Sequence, residues 1–356
     1  MSKLWQPDNA GKVIPVVRVR PLVPPAPHFH SRLQPQHMHW QLGHYVEDLS
    51  FGPGGRGRRK RWVVDKEAEQ HNLILTQTYD VLMFGTGGIG WMDLARYAVV
   101  GTGSTPPDPS QTGLVSEVSR TIVDQYGNNN GTRTLTRLAN GVYKISVVRE
   151  FTEAQVGNRN LTEWGFSPSG TAGGNLMCRE LFRDGNGNPI VITPASDQRL
   201  RLIYAFSLTF SPLQTPASIT IDGLGTFTGT AYVRGGNSNS TETSDAQLLQ
   251  RFTANSANSI YVALLAASYT GAYFGTTSSA ASVYLPSNGL NNITRGRTTV
   301  PVTFAANQGN TTIYGLAIGV YGEGIGFLLT FGSGQSFTKT DQYKLTIGPW
   351  TVTWGP

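Results

Sequence analysis

One cysteine, Cys178, stands in 356 residues, so neither an internal disulfide nor a multi-cysteine zinc or iron-sulfur site can form. Charge is also scarce: Asp, Glu, Lys and Arg together make 14% of the chain, too little to clothe long solvated helices. No apolar run approaches the ~20 residues that span a bilayer, and the start MSKLWQPDNAGK lacks the apolar middle of a signal peptide. The expectation is a chain made and folded in a cytoplasm, without a membrane partner and stabilised by packing. Beyond residue 65 the only histidine is His71, and the acids are scattered. No carboxylate pair, Ser-His-Asp order or metal triad emerges, so the reading is a protein without catalytic residues, resident metal or cofactor.

What is abundant is glycine, at 42 residues, together with Ser, Thr and Asn, a composition that favours turns and strands. Positive charge is concentrated at one end. Residues 1–65 hold ten Lys/Arg against four acids, and the rest of the chain holds 18 of each, so the body is neutral. Between Val13 and Gln36 prolines recur every few residues, which forbids helix and leaves extended or polyproline-like backbone. FGPGGRGRRKRW follows, with Arg56, Arg58, Arg59, Lys60 and Arg61 in one run. Residues 1–65 therefore read as a basic, extended anchoring arm that lies on something else. An acidic neighbouring subunit is its first expected partner, and nucleic acid ranks behind it.

From residue 66 the pattern alternates with period two between turns, the mark of an all-β fold. Asn140-Gly141 sits between two such runs as a hairpin turn. Arg199 to Phe210 and Ser218 to Gly235 alternate for full strand lengths, and helix is expected only near Trp91 to Arg96 and Asp245 to Arg251. The chain also repeats itself. DQRLRLIYAFSLTFSP (Asp197 to Pro212) aligns without gaps to DQYKLTIGPWTVTWGP (Asp341 to Pro356). NLTEWGF (Asn160 to Phe166) faces NTTIYGL (Asn310 to Leu316), and the glycine pair Gly185, Gly187 faces Gly332, Gly334. The expectation is two tandem antiparallel β-sandwich-like domains, 66–212 and 213–356, behind the arm.

Gly85, Gly87 and Gly90 carry the spacing G-x-G-x-x-G of a dinucleotide-binding turn. That turn needs a βαβ unit, whereas here barely two turns of helical potential precede the prolines of VVGTGSTPPDPS, so a loop is expected instead. Histidines 28, 30, 37, 39 and 44 form two H-x-H pairs that could complete a tetrahedral site, but packing on a neighbour is the simpler reading because no carboxylate or cysteine lies within the cluster. DGNGNP (Asp184 to Pro189) begins like a calcium loop, yet Pro189 and Ala195 stand where the glycine and the bidentate glutamate belong, so it reads as a hairpin turn. Cys178 is read as a small core residue.

YAVVGTGSTPPDPSQTGLVSEVSRT (Tyr97 to Thr121), NLTEWGFSPSGTAGGNLMCRELF (Asn160 to Phe182) and DQRLRLIYAFSLTFS (Asp197 to Ser211) together resemble a recurrent virion-protein module of tailed bacteriophages. The matching positions are Gly101, Gly103, Pro107, Thr112, Leu114, Glu117, Arg120, Glu163, Gly165, Phe166 and Arg179, spread over about 115 residues of the first copy. The second copy departs from it, with Ile313 in place of Glu163 and no VGTG segment. The resemblance implies a non-enzymatic structural component of the virion: a tail, neck, collar or fibre-base subunit, homo-oligomeric, with tail, portal-adaptor or capsid subunits as partners. A capsid decoration or head-fibre protein and a receptor- or glycan-binding module remain the alternatives. Glu163 and Arg179, the two matched charges, are expected to pair across neighbouring strands.

Overall fold

Arg199–Phe210 shows how this chain makes sheet. Every second side chain from Leu200 to Phe210 is apolar and buried, while Arg201, Ile203 and Ala205 are only half-buried. Repeated along the chain, this alternation puts 53% of the residues in strands and 8% in helices, an all-β fold. The computed structural model describes residues 4–7, 13–21, 28–48, 59–85, 90–235, 247–269, 271, 273, 278–320 and 326–356.

One layer is an eight-stranded sheet. Its order is β17 (Leu290–Ile293), β18 (Gly296–Thr299), β25 (Thr351–Gly355), β3 (His28–Asp48), β12 (Arg199–Phe210), β9 (Val142–Phe151) and β8 (Arg133–Ala139). β4 (Arg59–Gln70) pairs with the far end of β3. A five-stranded sheet runs β5 (Leu73–Ile74), β11 (Cys178–Leu181), β10 (Glu163–Ser167), β6 (Tyr97–Gly101), β7 (Glu117–Thr121). A ten-stranded sheet begins β16 (Ser279–Tyr284), β15 (Ile260–Leu265), β21 (Gly315–Val320), β22 (Gly326–Phe331), β14 (Gly225–Arg234). It continues through β13 (Gln214–Ile221), β2 (Val13–Pro21), β24 (Lys344–Ile347) and β19 (Val302–Phe304), with β1 (Leu4–Pro7) beside β2. β20 (Thr312–Ile313) and β23 (Phe337–Thr338) pair apart from these.

The two other large sheets cover the same face of the eight-stranded one. On β12, Tyr204 stacks on Phe166 of β10 at 4.6 Å between ring centroids, and Phe210 meets Phe327 of β22 edge-on at 5.8 Å. Residues 204 and 210 share parity and hence a side of the strand. Phe29 of β3 stacks on the same Phe327 at 3.8 Å. A single cluster of buried apolar residues runs from Phe29 through Trp164 and Tyr204 to Phe327 and Trp354.

The repeat reappears as strand order. β7-β6-β10-β11-β5 and β16-β15-β21-β22-β14 visit their strands in the same sequence ranks, and β8-β9-β12 and β17-β18-β25 approach β3 from opposite sides. β12 runs antiparallel to β3 and β25 parallel to it. Equivalent turns keep their geometry: Ile192 donates its N–H to the Leu161 carbonyl as Lys339 does to that of Thr311, and Gly187 and Gly334 both take positive φ, 83° and 73°.

Two expectations need correction. The halves 66–212 and 213–356 are not separate sandwiches in series, because both complete their sheet on β3 and share one core. Nor do the described stretches of residues 1–65 form an arm outside the body. β3 is the central strand of the eight-stranded sheet, and β2 is an interior strand of the ten-stranded one. Leu33, Met38, Trp40 and Leu42 point into the core from β3 while His37 and Gln34 face out. Pro35 is tolerated because it falls where the pairing with β12 shifts register between Tyr204 and Phe206, so its missing N–H lies at an irregularity in the ladder.

Candidate functional site: a buried clamp and a cationic hairpin

All five residues of β10 are buried, so Glu163 would be a bare charge in a dry interior without a cation beside it. The register of β10 on β11 sets Gly165 opposite Arg179, which brings Arg179 diagonally onto Glu163. Arg179 Nε and an Nη lie 2.9 and 2.8 Å from Glu163 Oε2, and both side chains are fully buried. The pair expected between these residues therefore forms.

Its remaining hydrogen-bonding capacity goes to one loop. Glu163 accepts the backbone N–H groups of Gly103, Val115 and Ser116 at 2.9, 3.1 and 2.8 Å. Arg179 donates to Gln111 Oε1 at 2.7 Å and the Thr105 carbonyl at 2.9 Å. One ion pair thus holds loop 102–116 near both ends and in its middle, leaving Thr105, Pro106, Ser110, Thr112 and Val115 exposed. The glycines of the motif follow from this. A Cβ on Gly101 would stand 2.7 Å from Glu163 Oε1, one on Gly103 would strike the same carboxylate, and one on Gly165 would meet the Cys178 carbonyl at 2.5 Å. Glu117 and Arg120 make a second clamp. Arg120 donates to both Glu117 oxygens at 2.9 and 3.0 Å, then reaches the Ser169 carbonyl and, at 3.1 Å, Asn175 Oδ1. The matched residues form a frame that presents loops, with their charges spent on one another and on backbone.

The basic run lies elsewhere. β4 pairs with Met38–Asp48, setting Lys60 opposite Glu47 and Arg61 opposite Val46, and both Lys60 and Arg61 are exposed. Arg59 is the first residue of β4, whereas Arg56 and Arg58 lie outside the described residues. The hairpin is fastened behind these cations. Arg201 of β12 sits 4.1 Å from the Trp62 ring centroid, Trp62 packs edge-on to Tyr45 at 5.2 Å, and Glu150 receives Arg201 at 2.8 Å and Arg199 at 3.0 Å. Glu150, the nearby buried acid, is thereby neutralised from within the body.

The histidines of β3 separate to different partners. His30 Nδ1 contacts Thr353 Oγ1 at 2.9 Å, His39 Nε2 contacts Glu67 at 2.9 Å, His44 Nδ1 contacts Asp65 at 3.0 Å, and His37 lies beside His71. Asp65 and Glu67 are held below the usual carboxylate range, Asp65 chiefly by His44 and Glu67 chiefly by the Gln41 amide. In DGNGNP, Asp184 accepts the N–H groups of Asn186 and Asn188 and closes a turn, as expected for a hairpin.

Gly85 and Gly90 of the glycine motif are described, and the residues between them, 86–89, lie outside the described residues. After Gly90 the backbone makes only a 3₁₀ turn, Trp91–Asp93. The free N–H groups that would hold a phosphate there are already engaged: Trp91 N–H by Thr253 Oγ1 and Met92 N–H by Gln250 Oε1, each at 3.1 Å. Both acceptors belong to helix Gln247–Thr253, and a Cβ on Gly90 would stand 2.6 Å from the Gln250 amide. Gly90 is a joint between the halves, which sequence reasoning missed because its partner lies some 160 residues away.

Set against known proteins, no family model matches the chain, and no curated protein or solved structure matches it.

Proposed function

We propose that the chain is a structural component of a tailed-phage virion, a tail, collar or fibre-base subunit docked through the cationic end of the β3–β4 hairpin onto an acidic face of a neighbouring virion protein. The observation that carries this reading is the exposure of Lys60 and Arg61 on a hairpin whose base is locked by Trp62, Tyr45, Arg201 and Glu150. A fixed hairpin loses less conformational freedom on docking than a loose tether, so its charges convert more fully into affinity and orientation. The phage-like segment supports the same reading, since its matched residues build rigid loop supports of the kind a multi-subunit particle uses to present contact surfaces.

The test is incorporation. Lys60→Glu/Arg61→Glu should still fold, losing about 1 kcal/mol or less because both side chains are exposed and the new charge at 60 only repels Glu47 opposite it, yet fail to enter particles assembled in its presence. Wild-type incorporation of the charge-reversed chain would exclude the hairpin as the dock. Copies per purified particle then separate a tail part from a capsid decoration.

A further inference from the structure

An open cleft of about 1280 Å³ lies between the two halves, walled on one side by residues near Asp80–Gly85, Arg96–Tyr97 and Pro168–Asn175 and on the other by residues near Ala254–Asn258 and Arg297. Gly85, the first glycine of the motif that resembles a nucleotide turn, is part of this wall.

Charge on the lining is unbalanced. Arg297 is 2% exposed, and its guanidinium is held by Asn292 Oδ1 at 2.9 Å and by the carbonyls of Phe252, Thr253 and Phe84. All four acceptors are neutral, and burial pushes Arg297 down to about 10. Arg96 also lines the cleft, its Nε is buried without an acceptor, and its guanidinium carbon lies 5.9 Å from the Tyr97 ring centroid. The acid on this wall, Asp80, is taken by Arg295, and nearby Asp93 is taken by Arg133. Among the described residues neither arginine has a carboxylate partner, but only Arg96 keeps unmet hydrogen-bonding capacity, while Arg297, its guanidinium engaged by neutral acceptors, contributes positive charge from behind the wall. Around them, Asn255 and Asn258 are exposed, and Phe84 and Tyr97 supply aromatic faces.

We propose that this cleft binds a carboxylate-bearing oligosaccharide, with Arg96 toward the acid group and the buried Arg297 charge behind it, Asn255 and Asn258 toward sugar hydroxyls, and the Tyr97 ring against a pyranose face. The volume exceeds what a free anion needs and matches an extended ligand. Guanidinium groups recognise carboxylates through paired hydrogen bonds, and side-chain amides both donate and accept, as a row of hydroxyls requires. The proposal does not depend on the chain being a virion protein, and its test reads no particle.

The full chain is titrated calorimetrically with tetragalacturonate, its methyl ester, a sialic acid trimer and a hyaluronan tetrasaccharide, and separately with orthophosphate and AMP. At least one acidic oligomer should bind with a Kd below about 1 mM, and neutralising its carboxylates should weaken binding about tenfold or more. Arg96→Ala should lose a similar factor while still melting cooperatively, because Arg96 Nε has no acceptor to forfeit and the packing removed is its contact with the Tyr97 ring. Arg96→Ala also keeps the test decisive should Arg297→Met fail to fold. Absence of binding by every acidic oligomer, or binding indifferent to both Arg96→Ala and Asn255→Ala, would overturn the proposal. Orthophosphate or AMP binding as tightly as the best oligosaccharide would overturn the sugar assignment.

Discussion

Glu163 holds three backbone N–H groups and one guanidinium in a site without water access, so its charge cannot be removed quietly. Glu163→Gln leaves Arg179 buried beside a neutral amide, and breaking such a pair from one side costs about 3–5 kcal/mol. The denaturant midpoint should fall accordingly, and loop 102–116 should become a site of limited proteolysis before the rest unfolds. Cys178 gives a test of opposite character. It is fully buried, and burial pushes its thiol up to about 12 from 9.0. The folded chain keeps a proton that the unfolded chain sheds above pH 9, so this group's contribution is complete below pH 9 and drains away toward pH 12. Stability should therefore decline by up to about 1.4 kcal/mol per pH unit from this residue alone. Denaturation of wild type and Cys178→Ala from pH 8 to 11 isolates the slope, and thiol reagents should label Cys178 only after unfolding.

Among elements, β12 was legible because an apolar residue stands at every second position from Leu200 to Phe210, and the β8–β9 hairpin because Asn140-Gly141 suits its turn, with Gly141 at φ 69°. The Glu163–Arg179 pair was legible through the resemblance, as its two matched charges on neighbouring strands. β3 was not. Its apolar alternation, Met38, Trp40, Leu42, is interrupted by prolines upstream, and a strand's place in a sheet depends on partners that local pattern does not encode. The cleft was hidden for a similar reason: an arginine held by carbonyls, as Arg297 is, leaves no mark in the spacing of residue types. The 3₁₀ turn at Trp91 and helix Gln247–Thr253 meet through Gly90, so that joint can be probed directly. Gly90→Ala should destabilise by about 1–3 kcal/mol through crowding of the Gln250 amide. Part of that loss should vanish in a Gln250→Ala background, a coupling readable by a double-mutant cycle.

At the scale of the molecule, one core and one shared layer mean that the halves stand or fall together. Removing residues 1–65 strips the central strand from the eight-stranded sheet and an interior strand from the ten-stranded one. The truncated chain should lack a cooperative thermal transition and collect in the insoluble fraction, whereas the intact chain should melt in a single step by circular dichroism and by calorimetry.

The seam between β3 and β25 joins residues 323 positions apart, His30 and Thr353. At a ribosomal pace of about 5–20 residues per second, β3 waits roughly 15–65 s for that neighbour to be synthesised. Meanwhile its open flank is a template for any other extended chain. Newly made protein at high expression should thus be prone to mispairing between nascent copies, and slower initiation or a holding chaperone should raise the yield of correctly closed molecules.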